Sequence, residues 1–277
     1  MKLIESKVEV IEQQPGLDGV YKQVELAGRT CYRSYDKITE DSAKEFVDRM
    51  IKSKHGAMLE HGTVYLSVPK EETEIIGFHG WCQYSKVRSD LVMEEPCNWL
   101  ITTNMRVLVE HDRLSDLKYI CEPTERHEKR ITARFTCDRG VSHEIVRHRV
   151  MSFAQESTRY CNYTKDKFGC ELTFIRPSWY DKTLENKHGG FEKFLEDAQS
   201  LYIALLDQGY LPQEARACLP NALKTEIVVT GFQSDWEHFF ELRTAKSAHP
   251  DCVKLAVELK QKLIDNGYKF NGNLEND

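Results

Sequence analysis

The chain has no apolar run near the roughly 20 residues that a membrane-spanning helix requires, and it does not open on a charged, cleavable leader. Both absences point to a soluble, cytoplasmic protein. There is no basic surplus either: 38 Lys and Arg stand against 44 Asp and Glu, for a net charge of −6. That balance argues against a broad nucleic-acid surface. Nine cysteines, at 31, 82, 97, 121, 137, 161, 170, 218 and 252, form no CxxC pair and no zinc-ribbon spacing. Their odd number and irregular spacing suit reduced thiols. No Gly/Ser/Pro-rich linker, internal repeat or low-complexity tract divides the 277 residues, of which 40% are apolar. One compact domain with a substantial core follows. A GxGxxG after a strand, a P-loop and a GxSxG elbow are all missing, so the common dinucleotide, ATP and serine-hydrolase signatures do not apply.

Periodicity supplies a coarse outline. Leu3 to Ile11 alternates in part and predicts a strand ending before Pro15-Gly16. Asp41 to Lys52 predicts a helix, with Phe46, Val47, Met50 and Ile51 on one face. Val64 to Val68 and Ile131 to Thr136 predict strands. The stretch between about Pro69 and Arg130 is hard to assign, with Asn98 to Glu110 a helix candidate. Asp138 to Arg149 predicts a helix whose first turn suits the acidic Asp138; on it His143 and Arg147 share one face, as do Glu144 and His148. Helical spacing also covers Phe191 to Gln208, Gln213 to Leu219, Ala222 to Val229, Asp235 to Arg243 and Asp251 to Asn266. The tail Asn271 to Asp277 reads as frayed. Strands early and helices late predict an α+β fold, an antiparallel or mixed central sheet packed with helices and a helix-rich C-terminal half.

Three polar concentrations stand out. Arg147-His148-Arg149 leads through a serine-rich loop, with Ser152, Gln155, Glu156, Ser157 and Thr158, to Arg159 and Tyr160. Arginine presents a rigid fork of donors to phosphate and hydroxyls add short-range contacts, so an anion site is the functional reading; surface arginines paired with Glu144 and Glu156 are the bland one. His55 to His61 contains two histidines and Glu60, a polar loop beside a cofactor or a simple turn. It lacks an HExxH arrangement for a metal. Arg216 and the run His238 to Arg243 offer arginines that either pair with Glu214 and Glu241 or stabilise charge on a bound ring. Cys161 and Cys218 have no acid-base partner set by spacing.

The residues Arg147-His148-Arg149 followed by Ser152, Ser157, Arg159 and Tyr160 closely resemble the signature of the flavin-dependent thymidylate synthases. Supporting similarity runs through His55 to His61, Glu214 to Pro220 and Phe239 to Arg243, while residues from about 69 to 130 look like an insertion in a single catalytic domain spanning 1–277. The resemblance implies a homotetramer that binds FAD and dUMP, uses NADPH as reductant and 5,10-methylenetetrahydrofolate as one-carbon donor, and releases dTMP and tetrahydrofolate. It implies FAD contacts from His55, Ala57, Glu60, Arg147, His148, Arg149, Gln155 and His238. It implies dUMP contacts from Glu144, Arg147, Gln155, Glu156, Ser157, Thr158, Arg159, Arg216 and Arg243, with Arg243 the catalytic group facing the pyrimidine; no metal is implied. Departures from the pattern are Ala154-Gln155 where many members have Asn-Glu, Glu144 in place of a common glutamine, and Ala57 in place of a hydroxyl residue. Glu144 is expected to pair with Arg147 or another local donor. A flavoprotein oxidoreductase with an altered acceptor and a non-enzymatic RNA-binding or interaction protein are the competing readings.

Overall fold

The computed structural model describes residues 1–92, 95–163, 171–180 and 190–270, leaving aside the side chains of residues 90–97. The expected frayed tail and Cys170 lie outside what is described, as does the side chain of Cys97. The fold is α+β. Its centre is a four-stranded antiparallel sheet in the order β2 (Lys7–Ile11), β6 (Arg130–Asp138), β9 (Lys224–Phe232), β7 (Ser152–Gln155). β6 and β9 pair over nine residues, from Arg130 opposite Phe232 to Asp138 opposite Lys224. A second antiparallel sheet has the order β3 (Thr63–Pro69), β5 (Glu95–Asn104), β4 (Lys86–Val92), with α4 (Thr73–Trp81) beside it. β1 (Lys2–Ile4) pairs in parallel with β8 (Thr173–Ile175).

Side chains alternate across a strand, so β9 serves two cores. Ile227 and Val229 join Phe135, Trp236, Phe239 and Leu259 on one face, under α9 (Gln233–Arg243) and α10 (Pro250–Asp265). Val228 and Ala154 join Val24, Phe46 and Leu66 on the other, under α1 (Gly16–Tyr32) and α2 (Ser42–Lys52). A third cluster, around Phe174, Leu195, Tyr202 and Ala215, seats α7 (Gly190–Asp207) and the short α8 (Pro212–Ala215). Among the described residues no helix is long and apolar enough to cross a membrane.

Several sequence-based expectations need correction. Ala222 to Val229 is not helical; β9 begins at Lys224. A central strand buried on both faces is an almost continuous apolar run, which periodicity cannot tell from a buried helix. Asn98 to Glu110 is strand as far as Asn104, whose side chain accepts the Val107 N–H at 3.1 Å and so starts the short helix α5 (Met105–Glu110). The helix after Asp138 stops early: α6 covers Arg139–Ile145, and residues 146–150 turn. What reads as a serine-rich loop contains β7. The strand expected over Leu3 to Ile11 is broken into β1 and β2, and the 17-residue α1 has no counterpart in the periodicity reading.

α1 and α2 approach closely at Gly28, where an added Cβ would lie 2.3 Å from the Phe46 ring. Phe46 is itself buried, so the ring has little room to withdraw. Gly28→Val should destabilise the fold by about 1–3 kcal/mol through overpacking, read as a lower urea midpoint with an unchanged slope.

Candidate active site

Trp236, Phe239 and Phe240 are buried on one face of α9. The same stripe, continued by one turn, carries Arg243. The last residue of a helix is a favourable place for a cation, because the unpaired carbonyls there are negative. α6 ends nearby. Its Asp138 cap accepts the Val141 N–H at 2.7 Å, and Val141, Ser142 and Ile145 pack inward, leaving Glu144 toward α9.

The two helix ends meet through one guanidinium. Arg243 Nη1 donates to Glu144 Oε2 at 2.7 Å, Nη2 donates to the Glu144 carbonyl at 2.9 Å, and Nε donates to His148 Nε2 at 2.8 Å. The Glu144 carbonyl belongs to the last turn of α6, whose acceptors have no partner within the helix. Arg147 lies 3.8 Å from Glu144 Oε1, so the expected pairing with Arg147 is present but secondary to that with Arg243. His148 must leave Nε2 unprotonated to accept from Arg243. Burial, reinforced by the cationic Arg243 and by His238, lowers its pKa to about 4. His238 is exposed, 3.6 Å from Glu241 and edge-on to His148 at 6.2 Å between ring centres. Arg147 and Arg149 are also exposed.

A second group follows β7. Gln155 Nε2 donates to Ser142 Oγ on α6 at 2.8 Å and to Thr225 Oγ1 at 3.2 Å, tying this strand to the first group. Glu156 turns inward: Tyr163 donates to one carboxylate oxygen at 2.9 Å and Lys224 to the other at 3.0 Å. Ser157, Arg159 and Arg216 stay accessible, and Arg216 Nη1 reaches Thr158 Oγ1 at 2.9 Å across 58 residues of sequence.

The third expected segment, on the short helix α3 (Gly56–Leu59) and its flanks, stands apart. His55 is exposed, whereas His61 is fully buried against Thr230 Oγ1 at 2.9 Å, its pKa lowered to about 3 by burial and by Arg130. Among the described residues no group of three His, Cys, Asp or Glu could hold a metal ion. Glu60 pairs with Arg106, and its carbonyl accepts from Arg130 Nη1 at 2.9 Å. Glu60, Arg106, Arg130, Val150 and Ser152 help to line a cavity of about 220 Å³. Arg130 also borders a larger cavity of about 860 Å³ that contains none of the expected site residues. Among the described residues no carboxylate lies within ion-pair distance of Arg130, and burial lowers its pKa to about 10.

The structure therefore joins Glu144, Arg147, His148, His238 and Arg243, links them through Gln155 to the Ser157–Arg159 and Arg216 group, and leaves Glu60 at a separate cavity, with His55 exposed and Ala57 packed against the core under α1 and α2. Sequence reasoning missed Ser142, Arg130, Arg106 and Lys224. Lys224 was hidden by the helix assigned over its strand.

The family described as "Thymidylate synthase complementing protein" matches residues 126–265, half of the chain. The chain belongs to this family. The matched span holds β6 through α9 and both linked groups of the site, but not His55 to Glu60. Two curated relatives, each named flavin-dependent thymidylate synthase, are similar over the same scale. That of Geobacter sulfurreducens is 36% identical over 121 residues, 44% of this chain and 50% of the relative. That of Pyrococcus furiosus is 32% identical over 127 residues, 46% and 51% respectively. The chain thus spans about half the length of the curated relatives it matches. A solved structure, the UMP/dUMP methylase PolB from Streptomyces cacaoi bound with 5-Br dUMP, aligns over 96% of this chain and 93% of its own at 17% identity and a TM-score of 0.44, a similarity too low to bear on function.

His148 gives this family member an acid-sensitive joint. Its ordinary pKa of 6.5 falls to about 4 in the folded state, so below 6.5 the unfolded chain takes up the proton first and folding loses support as pH drops toward 4. The full interval corresponds to about 3 kcal/mol. Urea midpoints measured between pH 7 and 4 should fall less steeply in His148→Gln, whose amide oxygen can still accept from Arg243; equal slopes would show that His148 does not contribute.

Proposed function

We propose that the protein is a flavin-dependent thymidylate synthase, methylating dUMP at C5 to give dTMP, with 5,10-methylenetetrahydrofolate as one-carbon donor and NADPH reducing FAD. The observation that carries this reading is the fixed Arg243 guanidinium, held by Glu144 and His148 beside the Arg147-to-Arg159 segment that supplies the anion-binding groups. Family membership and the name shared by the curated relatives support it.

The residues present fit FAD. Arg130 is a half-buried cation without a carboxylate partner within ion-pair distance among the described residues, it faces the cavity with Glu60 and Ser152, and Arg147 and Arg149 are exposed. That cavity is smaller than the roughly 300–1,000 Å³ of ligand pockets. One protomer would enclose part of the cofactor and further copies the rest, which supports the homotetramer expected from the resemblance. Residues 69–130 would then be an insertion carried by a single catalytic domain.

FAD, when bound, supplies the hydride chemistry. Arg159, Arg216 and Ser157 hold the nucleotide phosphate, and the inward Glu156 would reach a ligand only through its backbone. Arg243 faces the pyrimidine and stabilises negative charge as N3 loses its proton, a role suited to a group that stays cationic at neutral pH. Glu144 and His148 keep it from rotating away. The experiment is to purify the protein, record flavin absorbance, and follow dUMP-dependent oxidation of reduced flavin together with dTMP formation. Reductase activity without dTMP would point to an altered acceptor instead. Arg243→Ala should lower kcat/KM for dUMP by about 10²–10³-fold in protein that still folds and binds FAD; unchanged dUMP affinity and methylation would remove Arg243 from its assigned role.

A further inference from the structure

Lys224 opens β9 with its side chain 6% exposed, lining neither cavity described above. Its ammonium stands 3.0 Å from Glu156 Oε2 and also bonds Glu226. Glu156 is more deeply buried still, at 1%, and the Tyr163 hydroxyl donates to its second oxygen at 2.9 Å. Taking an ammonium and two carboxylates out of water is costly, and such a group is weak evidence for stability in itself. Its position suggests what it does. Glu156 is the first residue beyond β7, and the next three are Ser157, Thr158 and Arg159.

The backbone holds this departure from the sheet at two points. The Glu156 N–H donates to the Glu226 carbonyl at 2.8 Å, and the Ser157 N–H donates to the Cys31 carbonyl, at the end of α1, at 2.9 Å. Neither bond decides which way the Glu156 side chain turns. The Lys224 ammonium does so chiefly, being the nearer of two cations at that carboxylate: it lies 3.0 Å from Oε2, whereas Arg33 Nη1 lies 3.9 Å from Oε1. With Glu156 turned inward, Thr158 is presented to Arg216 at 2.9 Å. Glu226 completes the anchor. Burial opposes its ionisation, but Lys224 and the Tyr35 hydroxyl outweigh burial and its pKa lies below the ordinary carboxylate range. Without the ammonium, two carboxylates would share a buried space, and one must move or take up a proton.

We infer that Lys224 is a positioning residue for the nucleotide loop: acting through Glu156 from inside the sheet, it sets where Ser157, Thr158 and Arg159 stand. The inference rests on reading that loop as the phosphate site of dUMP. Lys224 itself touches no substrate, so its loss weakens nucleotide binding more than it slows turnover.

The test uses the full chain loaded with FAD, titrated with dUMP and assayed for kcat and KM. Lys224→Met should raise the dUMP Kd and KM by about tenfold while leaving kcat nearly unchanged, the pattern of lost uniform binding. Glu156→Leu should weaken binding to a similar degree, and the double variant no further, since both act through one contact. Wild-type affinity in folded Lys224→Met, or losses that add in the double variant, would overturn the inference and leave the proposed activity standing. If Lys224→Met does not fold, Lys224→Arg keeps the charge but displaces it and should show the same split between KM and kcat; wild-type KM in that variant overturns the inference. A wild-type protein that binds no dUMP overturns the inference and the nucleotide reading together.

Discussion

The antiparallel pairing of β6 with β9 is the constraint on which the rest depends. It puts the exit of β6 beside the entry of β9, with Asp138 opposite Lys224. α6 leaves from that end directly. α9 starts at the far end, after Phe232, and its 11 residues run back about 16 Å at 1.5 Å per residue. The buried stripe of Trp236, Phe239 and Phe240 holds it against the sheet, and its last residue arrives at the end of α6. Two helices that begin at opposite ends of one strand pair therefore finish together, and Arg243 is the residue at which they do.

Each site group draws its order from a buried layer rather than from solvent contacts. Exposed ion pairs contribute little. At this site the groups that matter are the half-buried Arg243 with its three acceptors, the neutral His148 beneath it, and the interior Glu156. Desolvation makes each of them intolerant of losing a partner. Arg147, Arg149 and Arg159 are exposed, and the residues beside them are fixed from within.

Legibility in the sequence followed burial pattern. Helices with one apolar face, such as α2, α9 and α10, were readable from spacing, because a 3.6-residue period survives when the other face is polar. β9 was not, since both faces are buried and its run of Ile227, Val228 and Val229 carries no period. The concentration of donor side chains from Arg147 to Arg159 was readable from residue type alone. The inward turn of Glu156 was not, because its partner Lys224 lies 68 residues away on the misassigned strand. Arg130 was hidden for a different reason: a cation at the start of a strand looks like a surface residue until the chain folds over it.

Arg130 also separates two compartments. It borders both cavities, bonding the Glu60 carbonyl beside the smaller one and Thr63 Oγ1, at 3.3 Å, beside the larger. The partition between them is thus about one side chain thick at this point. Shortening that side chain would thin the wall between a cavity at the β2 edge of the sheet and one at the Val150–Ser152 segment, so that solvent in the one bears on the other.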